Sequence, residues 1–480
     1  MLSEVGPIHT IDEVAEGNEV MERRNRPGEI TREAAEGQIQ GWLPSQPSLQ
    51  RVNAAARRSG QVRFTALLHH VDIAALERAF KRMRRAASAG VDGITVEMYT
   101  QDLQSNLQRL CERVHGGQYW PKPVRRTFIP KADGGKRPLG ITTLEDKIVQ
   151  SAVAEVLSAI YEVDFVDFSF GFRPGRSAHM ALAQLDQNLR AKKVNWILDV
   201  DIRKYFDSVD HGWLLRMVAH RIADPRVLRL IERWLKAGVL ESGCWTATDT
   251  GTPQGSGISP ILSNIFLHYV FDLWVQQWSR RSAAGQVVAV RYADDIVLGF
   301  QYESDARKMF VALQERVGKF GLTLHEDKTR LIEFGRFAAR NRKAQELPRP
   351  ETFAFLGFTH YCSVTRGGKF TVKRRTHSQR MARKLSEIRV ELNRRMHLAV
   401  KAQHTWLSAV LRGHYQYFGV MFNSQSLTAF HKCVKLAWFT TLRKRSQKGG
   451  MTWERYVALL DVFPLPKPRI VHQPWRGSLA

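Results

Sequence analysis

The sequence predicts an α+β fold, with a sheet built from central strands and a helical C-terminal part. Residues 194–202 and 287–300 are rich in apolar and β-branched side chains, as buried strands are. Helical patterns flank these strands, over residues 144–161 and 260–278. Beyond about residue 377 the apolar side chains recur with helical spacing alone. Strands and the last helices are therefore expected to be segregated along the chain.

The N-terminal part is expected to be a tail followed by helices. Residues 1–45 hold nine acidic and four basic side chains with Gly and Pro between them, which predicts a flexible acidic tail. Over residues 46–115 the apolar positions Ile73, Leu76 and Phe80 recur at core-facing helical spacing. This segment is therefore predicted to be helical.

The middle of the chain supplies the strands of the fold. Residues 120–140 suit a β-hairpin with Asp133-Gly134-Gly135 at its turn. Residues 336–352 are basic and contain two prolines, which predicts a loop. Residues 353–372 return to strand-like alternation.

Three helices are predicted after the strands, and together they suit a small bundle. The first, over residues 377–395, alternates six basic side chains with apolar ones, and the others cover residues 406–417 and 426–441. An ordinary solvated helix face is the alternative to a nucleic-acid surface for the basic helix. Residues 442–480 interleave basic, aromatic and proline residues, which predicts a tail that binds DNA or RNA weakly.

Acidic side chains interrupt the two central strands, and they are the strongest functional signal. Asp294 and Asp295 are adjacent between apolar runs, so a hairpin would carry both at its tip. Strand periodicity places Asp199 and Asp201 on one face, and Asp210 suits a helix N-cap. Carboxylates held close together suit Mg²⁺, and two ions about 3.5–4 Å apart catalyse phosphoryl transfer by in-line displacement. A solvated turn is the alternative for an isolated Asp-Asp pair.

The charge and the cysteines narrow the class of protein. A formal net charge of +26 over 480 residues predicts a polyanionic partner, and nucleic acid is the natural one. A ribosome-like or membrane-surface protein is the alternative. The four cysteines are scattered without a Cys-x-x-Cys pair, which argues against zinc clusters and disulfides and favours the cytoplasm. No apolar run reaches about 18 residues, so no membrane span is expected.

An ordered set of motifs surrounds these carboxylates. In chain order they occupy residues 89–95, 129–140, 170–177, 201–207, 251–260, 292–295, 321–329 and 355–358. They include Phe-Gly-Phe-Arg-Pro-Gly-Arg-Ser, Gly-Thr-Pro-Gln-Gly and Tyr-Ala-Asp-Asp. Over roughly residues 50–475 the chain thereby resembles the group II intron-encoded reverse transcriptase/maturase family, in its bacterial, endonuclease-lacking form.

The resemblance implies a right-hand polymerase. An N-terminal extension and the start of the fingers would cover residues 46–115. Fingers and palm with an antiparallel sheet would cover residues 116–375, and an α-helical thumb or maturase bundle would cover residues 376–441. Because neither a cysteine pair nor a His-Asn-His cluster follows the thumb, no endonuclease domain is expected. The implied partners are intron RNA, an RNA template with a DNA primer, dNTPs and target DNA. The implied location is a cytoplasmic ribonucleoprotein that joins the nucleoid during intron mobility.

The family pattern also assigns roles to individual residues. It implies that Asp201, Asp294 and Asp295 bind two Mg²⁺ ions, with the backbone carbonyl of Ile202 as a further ligand. Lys328 would donate a proton to the departing pyrophosphate, with a plain surface lysine as the alternative. Asp199 matches no catalytic aspartate of the family and is expected either to support the metal ligands without binding the metal or to be structural. Asp207 is expected to be structural.

Further residues are expected to bind the nucleotide and the nucleic acid. Lys131 and Arg137 would hold the triphosphate, Phe206 would be a steric gate against the ribose 2′-hydroxyl, and Gln254 would lie near the sugar. Solvated charges, a core aromatic and a plain turn are the respective alternatives. The residues expected to contact nucleic acid are Arg173, Arg176, Gly255, Arg380, Arg383 and Lys384.

The function implied is RNA-directed DNA polymerisation, combined with splicing of the intron as a maturase and with intron mobility. A domesticated relative acting in DNA repair, phage defence or a CRISPR system is the alternative. Intron RNA domains flanking the gene would favour the mobile element. A polymerase that makes RNA is disfavoured, because Phe206 would clash with ribonucleotides.

Overall fold

A computed structural model describes most of the chain. The residues it describes are 44, 46–130, 135–241, 244–247, 250–252, 255–445 and 450–472. Nearly all of the predicted acidic tail, and Asp133-Gly134 of the predicted turn, lie outside the described residues. The chain divides into two compact units, residues 1–185 with 196–331 and residues 186–195 with 332–480. Within the described part, no helix combines the length and the apolar character that crossing a membrane requires.

The first unit contains both helices and strands. It begins with α1 (Pro47–Arg58), α2 (Ile73–Lys81), α3 (Val96–Thr100), α4 (Leu103–His115), β1 (Val124–Pro130) and β2 (Lys136–Ile141). Next come α5 (Leu144–Asp164), α6 (Ala178–Ala191), β3 (Trp196–Val200), α7 (Tyr205–Ser208), α8 (His211–Ala219), α9 (Pro225–Leu235), β4 (Val239–Glu241) and β5 (Cys244–Thr246). It ends with α10 (Ser259–Leu267), α11 (Leu273–Arg281), β6 (Val287–Tyr292), β7 (Asp295–Phe300), α12 (Glu303–Gly318) and β8 (Arg330–Glu333). Helix α6 and strand β8 each run across a boundary between the two units.

Two sheets organise the first unit. One has the order β2-β1-β4-β5, and its β1 and β2 form the predicted hairpin, an antiparallel pair from Arg125 opposite Ile141 to Pro130 opposite Lys136. The other has the order β6-β7-β3-β8, and β7 pairs antiparallel with both β6 and β3. The predicted α+β fold class is therefore confirmed.

Helix α5 is a largely buried helix of the first unit. Thr143 caps it by accepting the Asp146 N–H at 3.3 Å, and both residues are buried. Ile148 and Val153 are fully buried along its length, and each such side chain contributes about 1.5–3 kcal/mol. The helix predicted over residues 144–161 is confirmed and continues slightly further.

The apolar helix predicted over residues 260–278 is present, but it contains one wider turn. Residues His268–Asp272 form a π-helical turn between α10 and α11. Such a turn inserts a residue and changes the direction in which the following side chains point. Asp272, the last residue of this turn, is fully buried. A charged side chain is therefore held inside an apolar segment.

The second unit is a small sheet followed by helices. Its elements after β8 are α13 (Ala338–Ala344), β9 (Phe353–Phe355), β10 (Phe358–Val364), β11 (Phe370–Thr376), α14 (Ser378–Arg394), α15 (Val400–Phe418), α16 (Ser424–Arg443) and α17 (Trp453–Val462). The sheet has the order β11-β10-β9, and β10 pairs antiparallel with both neighbours. Helices α14, α15 and α16 match the three predicted helices, although α15 begins earlier. They share one buried core that includes Leu392, Leu411, Phe430 and Trp438.

Helix α13 shows that the prediction of a loop over residues 336–352 was wrong in part. Ala338 at its start is buried, and Asn341 Nδ2 donates to Glu333 Oε1 at 2.9 Å. The two prolines lie beyond its end, so they do not interrupt it. Packing and one side-chain hydrogen bond thus stabilise a short helix that the polar, basic sequence does not signal.

Candidate active site

The hairpin of β6 and β7 carries the adjacent carboxylates at its tip. Tyr292 pairs with Asp295, so the turn consists of Ala293 and Asp294 alone. Ala293 is fully buried and has φ +68°, a left-handed conformation that costs a non-glycine residue roughly 1–2 kcal/mol. The two aspartates are partly accessible to solvent. A short, strained turn therefore fixes the backbone from which both carboxylates extend.

Strand β3 brings Asp201 to the same end of the sheet. Val200 lies opposite Ile296 in the antiparallel pairing of β3 with β7. The next residues toward the hairpin tip are Asp201 on one strand and Asp295 on the other. Opposed residues in such pairs have Cα atoms about 4.5–5.5 Å apart and side chains on the same face. Asp201 therefore follows the last paired residue of β3 at the same end of the sheet as the Asp294-Asp295 turn.

Hydrogen bonds from the segment before β8 hold Asp201 in place. Its carbonyl accepts the His325 N–H at 2.8 Å, and its own N–H lies 3.3 Å from the Thr329 hydroxyl. Lys328 Nζ lies 3.4 Å from Asp201 Oδ2, and the two side chains are 61% and 34% exposed. The expected proton donor is therefore beside an expected metal ligand. Because both groups are exposed, the ion pair itself adds little stability.

Asp199 lies earlier on the same face of β3, and its carboxyl is largely enclosed by the protein. Burial raises the pKa of Asp199 to about 7. The attraction of Arg330 lowers the pKa in part, and the repulsion of Asp201 raises it further. Its backbone lies opposite Val297. At neutral pH it is therefore only partly ionised, which limits repulsion along this strand face.

The donor set suits Mg²⁺ in its chemistry. Mg²⁺ prefers oxygen ligands and keeps waters and substrate phosphates in its shell, so it needs few protein carboxylates. Among the described residues, no group of three or more His, Cys, Asp or Glu side chains is positioned to hold a metal ion, so the three carboxylates are not gathered into a ready-made metal site. Asp201, Asp294 and Asp295 would form an open site that substrate completes, and their role as ligands stays a prediction. The same holds for the carbonyl of Ile202, a residue that forms an isolated antiparallel bridge with Leu324.

The expected nucleotide-binding residues are only partly described. Lys131 and Gln254 lie outside the described residues, and Arg137 is placed in β2 without a described side chain. Phe206 is 4% exposed and packs edge-to-face on Tyr205 with ring centroids 5.2 Å apart. Such burial is typical of a core aromatic, and the steric-gate role stays a prediction.

Arg173 requires a correction, because its guanidinium is enclosed by the protein. The side chain is 3% exposed, and its Nε donates to Glu162 Oε2 at 2.9 Å. Its Nη1 donates to the carbonyls of Val166 and Ser169, at 2.9 and 3.1 Å. A guanidinium enclosed in this way does not reach a template strand. The sequence motif shows that an arginine is present but not which way it points.

Arg176 and Gly255 are also engaged within the protein. Arg176 donates to the carbonyl and the carboxylate of Asp167, at 2.8 and 3.0 Å, and its guanidinium lies over the Phe170 ring. Gly255 has φ +99°, and a Cβ at this position would lie 2.8 Å from the carbonyl oxygen of Gly140. The glycine is therefore required by the protein's own backbone. Contacts of either residue with nucleic acid stay predictions.

The basic face of α14 in the second unit is partly neutralised. Arg383 Nε and Lys384 Nζ each lie 3.0 Å from a carboxylate oxygen of Glu387. Arg380 is half-buried. Residues 378–395 hold six basic and two acidic side chains, so a net positive charge remains. The expected contacts of this helix with nucleic acid stay predictions.

Sequence reasoning missed a buried ion pair behind the hairpin tip. Arg291 of β6 and Asp272 of the π turn are both fully buried, and Arg291 Nε donates to Asp272 Oδ1 at 2.8 Å. The available signal was an arginine within the apolar run of residues 287–292.

Comparisons with known proteins identify the family. Residues 129–360 match the family model for reverse transcriptase (RNA-dependent DNA polymerase). Protein YkfC of Escherichia coli K12 is 32% identical over 324 residues, which cover 60% of this chain and 82% of YkfC. The group II intron-encoded protein LtrA of Lactococcus lactis subsp. cremoris is 35% identical over 229 residues, which cover 47% of this chain and 38% of LtrA. Nuclear intron maturase 2, mitochondrial, of Arabidopsis thaliana is 32% identical over 101 residues, which cover 21% of this chain and 14% of that protein.

The matched segment includes β3, the β6–β7 hairpin and β8. The chain spans most of YkfC but less than half the length of LtrA and of the plant maturase. The resemblance predicted from the motifs is confirmed, and the chain belongs to the group II intron-encoded reverse transcriptase/maturase family.

Proposed function

We propose that this chain polymerises DNA on an RNA template at the end of the β6-β7-β3 sheet. The register of β3 against β7, which ends with Val200 opposite Ile296 and so leads Asp201 and Asp295 to the same end of the sheet, is the observation that supports this most directly. The reverse transcriptase family model supplies the class of reaction. The substrates would be a DNA primer paired to RNA and dNTPs.

The carboxylates would act through divalent cations. Asp201, Asp294 and Asp295 would hold two Mg²⁺ ions, which when bound stabilise charge on the oxygens that change bonding. The primer 3′-oxygen forms a bond to the α-phosphorus of the dNTP, and the bond from that phosphorus to the oxygen bridging the β-phosphate breaks. The electron pair of the broken bond leaves with pyrophosphate, and the hydroxyl proton passes to solvent.

Lys328 is suited to assist the leaving group. Its ammonium is exposed beside Asp201, so it can turn toward an incoming triphosphate. It would donate a proton to pyrophosphate and regain one from solvent. The nucleotide itself would be held by Lys131, Arg137, Phe206 and Gln254.

Primer extension with matched variants tests this proposal. Asp294→Asn and Asp201→Asn keep the side-chain size but remove the charge, and each should slow dNTP addition by at least about 100-fold. Asp207→Asn changes an exposed carboxylate close to the site and should stay within about twofold of the wild-type rate. Wild-type protein that extends no primer, or an Asp294→Asn protein as fast as wild type, would contradict the proposal.

A second activity, binding of intron RNA as a splicing maturase, is supported by the charge of the second unit. Residues 378–395 carry the positive excess described above, and Arg383, Arg389 and Arg394 are exposed. Stabilising a folded RNA needs charge neutralisation but no side-chain chemistry. The same complex would bring the RNA to target DNA during mobility, as a cytoplasmic ribonucleoprotein.

Splicing assays at low Mg²⁺ separate this role from polymerisation. Asp294→Asn should support splicing as well as wild type does, because the maturase role does not use the carboxylate. Arg383→Gln combined with Arg389→Gln should weaken RNA binding and lower its salt slope by about 0.7 per lost contact. Val390→Ala, at an exposed neutral position of the same helix, is the control. A protein that binds the RNA but never restores splicing would disprove the maturase role.

A further inference from the structure

Arg291 is fully buried near the end of β6, where its neighbours Val290 and Tyr292 are also buried. Its backbone is held on both sides of the residue, because its N–H donates to the Phe168 carbonyl at 2.8 Å and its carbonyl accepts the Phe170 N–H at 3.0 Å. These bonds fix the backbone, and the side chain has no surface exposed to solvent. Its charge has to be balanced inside the protein.

The guanidinium of Arg291 connects three parts of the first unit. Nε donates to Asp272 Oδ1 at 2.8 Å, and Nη2 donates to Asp272 Oδ2 and, at 2.9 Å, to Ser169 Oγ. Nη1 donates to the carbonyl of Ala293 at 3.3 Å. This carbonyl belongs to the peptide group that joins Ala293 to Asp294. Arg291 thus contacts the backbone from which an expected metal ligand extends.

Asp272 provides a fixed acceptor for this arginine. It is the last residue of the π turn His268–Asp272, it is fully buried, and helices α10 and α11 continue on either side. A π turn within a helix is frequently found at functional sites, because it redirects one side chain without ending the helix. Here the redirected side chain is a carboxylate that binds both Nε and Nη2.

We infer that Arg291, held by Asp272, is a positioning residue for polymerisation, which orients the peptide group of the hairpin tip and thereby the Asp294 carboxylate. This inference rests on the proposed polymerase function. Ala293 adopts a left-handed conformation that an unsupported chain disfavours, and the hydrogen bond to its carbonyl selects that conformation. Arginine suits the task because its planar fork binds a carboxylate with two donors and still directs a third elsewhere.

Stability alone does not explain the pair. Two apolar side chains of similar volume fill a buried site without the desolvation penalty of two charges, and such replacements are often neutral or stabilising. An apolar pair would lack the donor to the Ala293 carbonyl. Replacing both residues therefore separates the effect on the hairpin tip from the effect on the fold.

Three variants of the full chain test the inference. Arg291→Lys keeps the charge but loses the fork, and the double variant Arg291→Met with Asp272→Leu replaces the pair by apolar side chains. Arg221→Lys is the matched control, because Arg221 and Asp164 form another ion pair of the first unit in which both side chains are 3% exposed. Arg221 donates to carbonyls remote in sequence from the hairpin, those of residues 56 and 59.

Four quantities are measured on a primer paired to an RNA template: the rate of addition of one dNTP, the KM for that dNTP, the Mg²⁺ concentration at half-maximal rate, and the affinity for the primer–template. Arg291→Lys and the double variant should add the dNTP about 10- to 100-fold more slowly and need more Mg²⁺. The KM and the affinity should stay within about twofold, because the contacts with substrate are unchanged. The double variant should unfold near the wild-type temperature.

Hydrogen–deuterium exchange gives a readout that does not depend on activity. Peptides covering residues 287–300 should exchange faster in both Arg291 variants and at the wild-type rate in Arg221→Lys. After correction for the folded fraction, Arg221→Lys should also keep the wild-type rate and Mg²⁺ requirement.

The inference is overturned if wild-type protein extends primers and the double variant matches it in rate, Mg²⁺ requirement and exchange. It is equally overturned if Arg221→Lys reproduces the losses of Arg291→Lys. Wild-type protein without polymerase activity would instead remove the proposed function, and the exchange of residues 287–300 would still show whether Arg291 orders the hairpin tip.

Discussion

One added methyl group at Gly255 tests whether this glycine serves the protein's own backbone or a template strand. Gly255 has φ +99°, and a Cβ there would lie 2.8 Å from the Gly140 carbonyl oxygen and 3.0 Å from Leu139 Cδ1. Gly257 provides a matched control within the same motif. A Cβ at Gly257 would meet its nearest neighbour, Gln150 Cβ, at 3.5 Å, which is ordinary contact.

The expected effects on stability differ in sign. The left-handed backbone costs an alanine roughly 1–2 kcal/mol. The clash with a backbone oxygen cannot be relieved by a side-chain rotation and adds about 1–3 kcal/mol. Gly255→Ala should therefore lower the free energy of unfolding of the first unit by about 2–5 kcal/mol. Gly257→Ala should raise it by about 0.4–1 kcal/mol, because alanine restricts the unfolded chain.

Thermal unfolding without nucleic acid, followed by RNA binding of the folded variants, provides the assay. Gly255→Ala should unfold at a clearly lower temperature than wild type, and Gly257→Ala should not. Equal unfolding temperatures for the two variants would refute the steric argument. If Gly257→Ala alone loses RNA affinity, the template approaches the backbone at Gly257 and not at Gly255.

Three further predictions concern charge and packing. Burial raises the pKa of Asp164 to about 7 against the attraction of Arg221, so the folded state holds this proton more tightly than the unfolded chain. The stability that the protonated Asp164 carboxyl contributes is therefore present at low pH and lost as pH rises through 7. Relative to Asp164→Asn, urea unfolding should show a loss of about 3 kcal/mol between pH 5 and 8. Lys328→Gln should slow dNTP addition by about 10- to 100-fold. It should change the unfolding free energy by less than about 1 kcal/mol, and an unchanged rate would indicate a plain surface lysine. Leu392→Ala should destabilise the second unit by about 2–5 kcal/mol, whereas Val390→Ala, 60% exposed on the same helix, should leave its unfolding temperature unchanged.

Local patterns in the sequence were sufficient for most of the elements. The apolar periodicity of residues 144–161 and 377–395 predicts helices that the structure contains, and Asp210 caps α8 by accepting the Trp213 N–H at 2.6 Å. The paired aspartates between apolar runs were enough to place a hairpin tip at Asp294. These features depend on neighbours within a few residues, and such neighbours are visible in the sequence.

The sequence by itself therefore determined the strands, the helices and the residue types at the end of the central sheet. It could do so because periodicity and turn chemistry depend only on residues close together in the chain. Tertiary structure alone decided that Arg173 is enclosed by Glu162 and nearby carbonyls, and that Gly255 lies against the backbone of β2. It also decided that a π turn places Asp272 where its carboxylate accepts a hydrogen bond from Arg291. These outcomes depend on which distant segment packs against a residue and in which direction its side chain points, and neither is encoded in the spacing of residues along the chain.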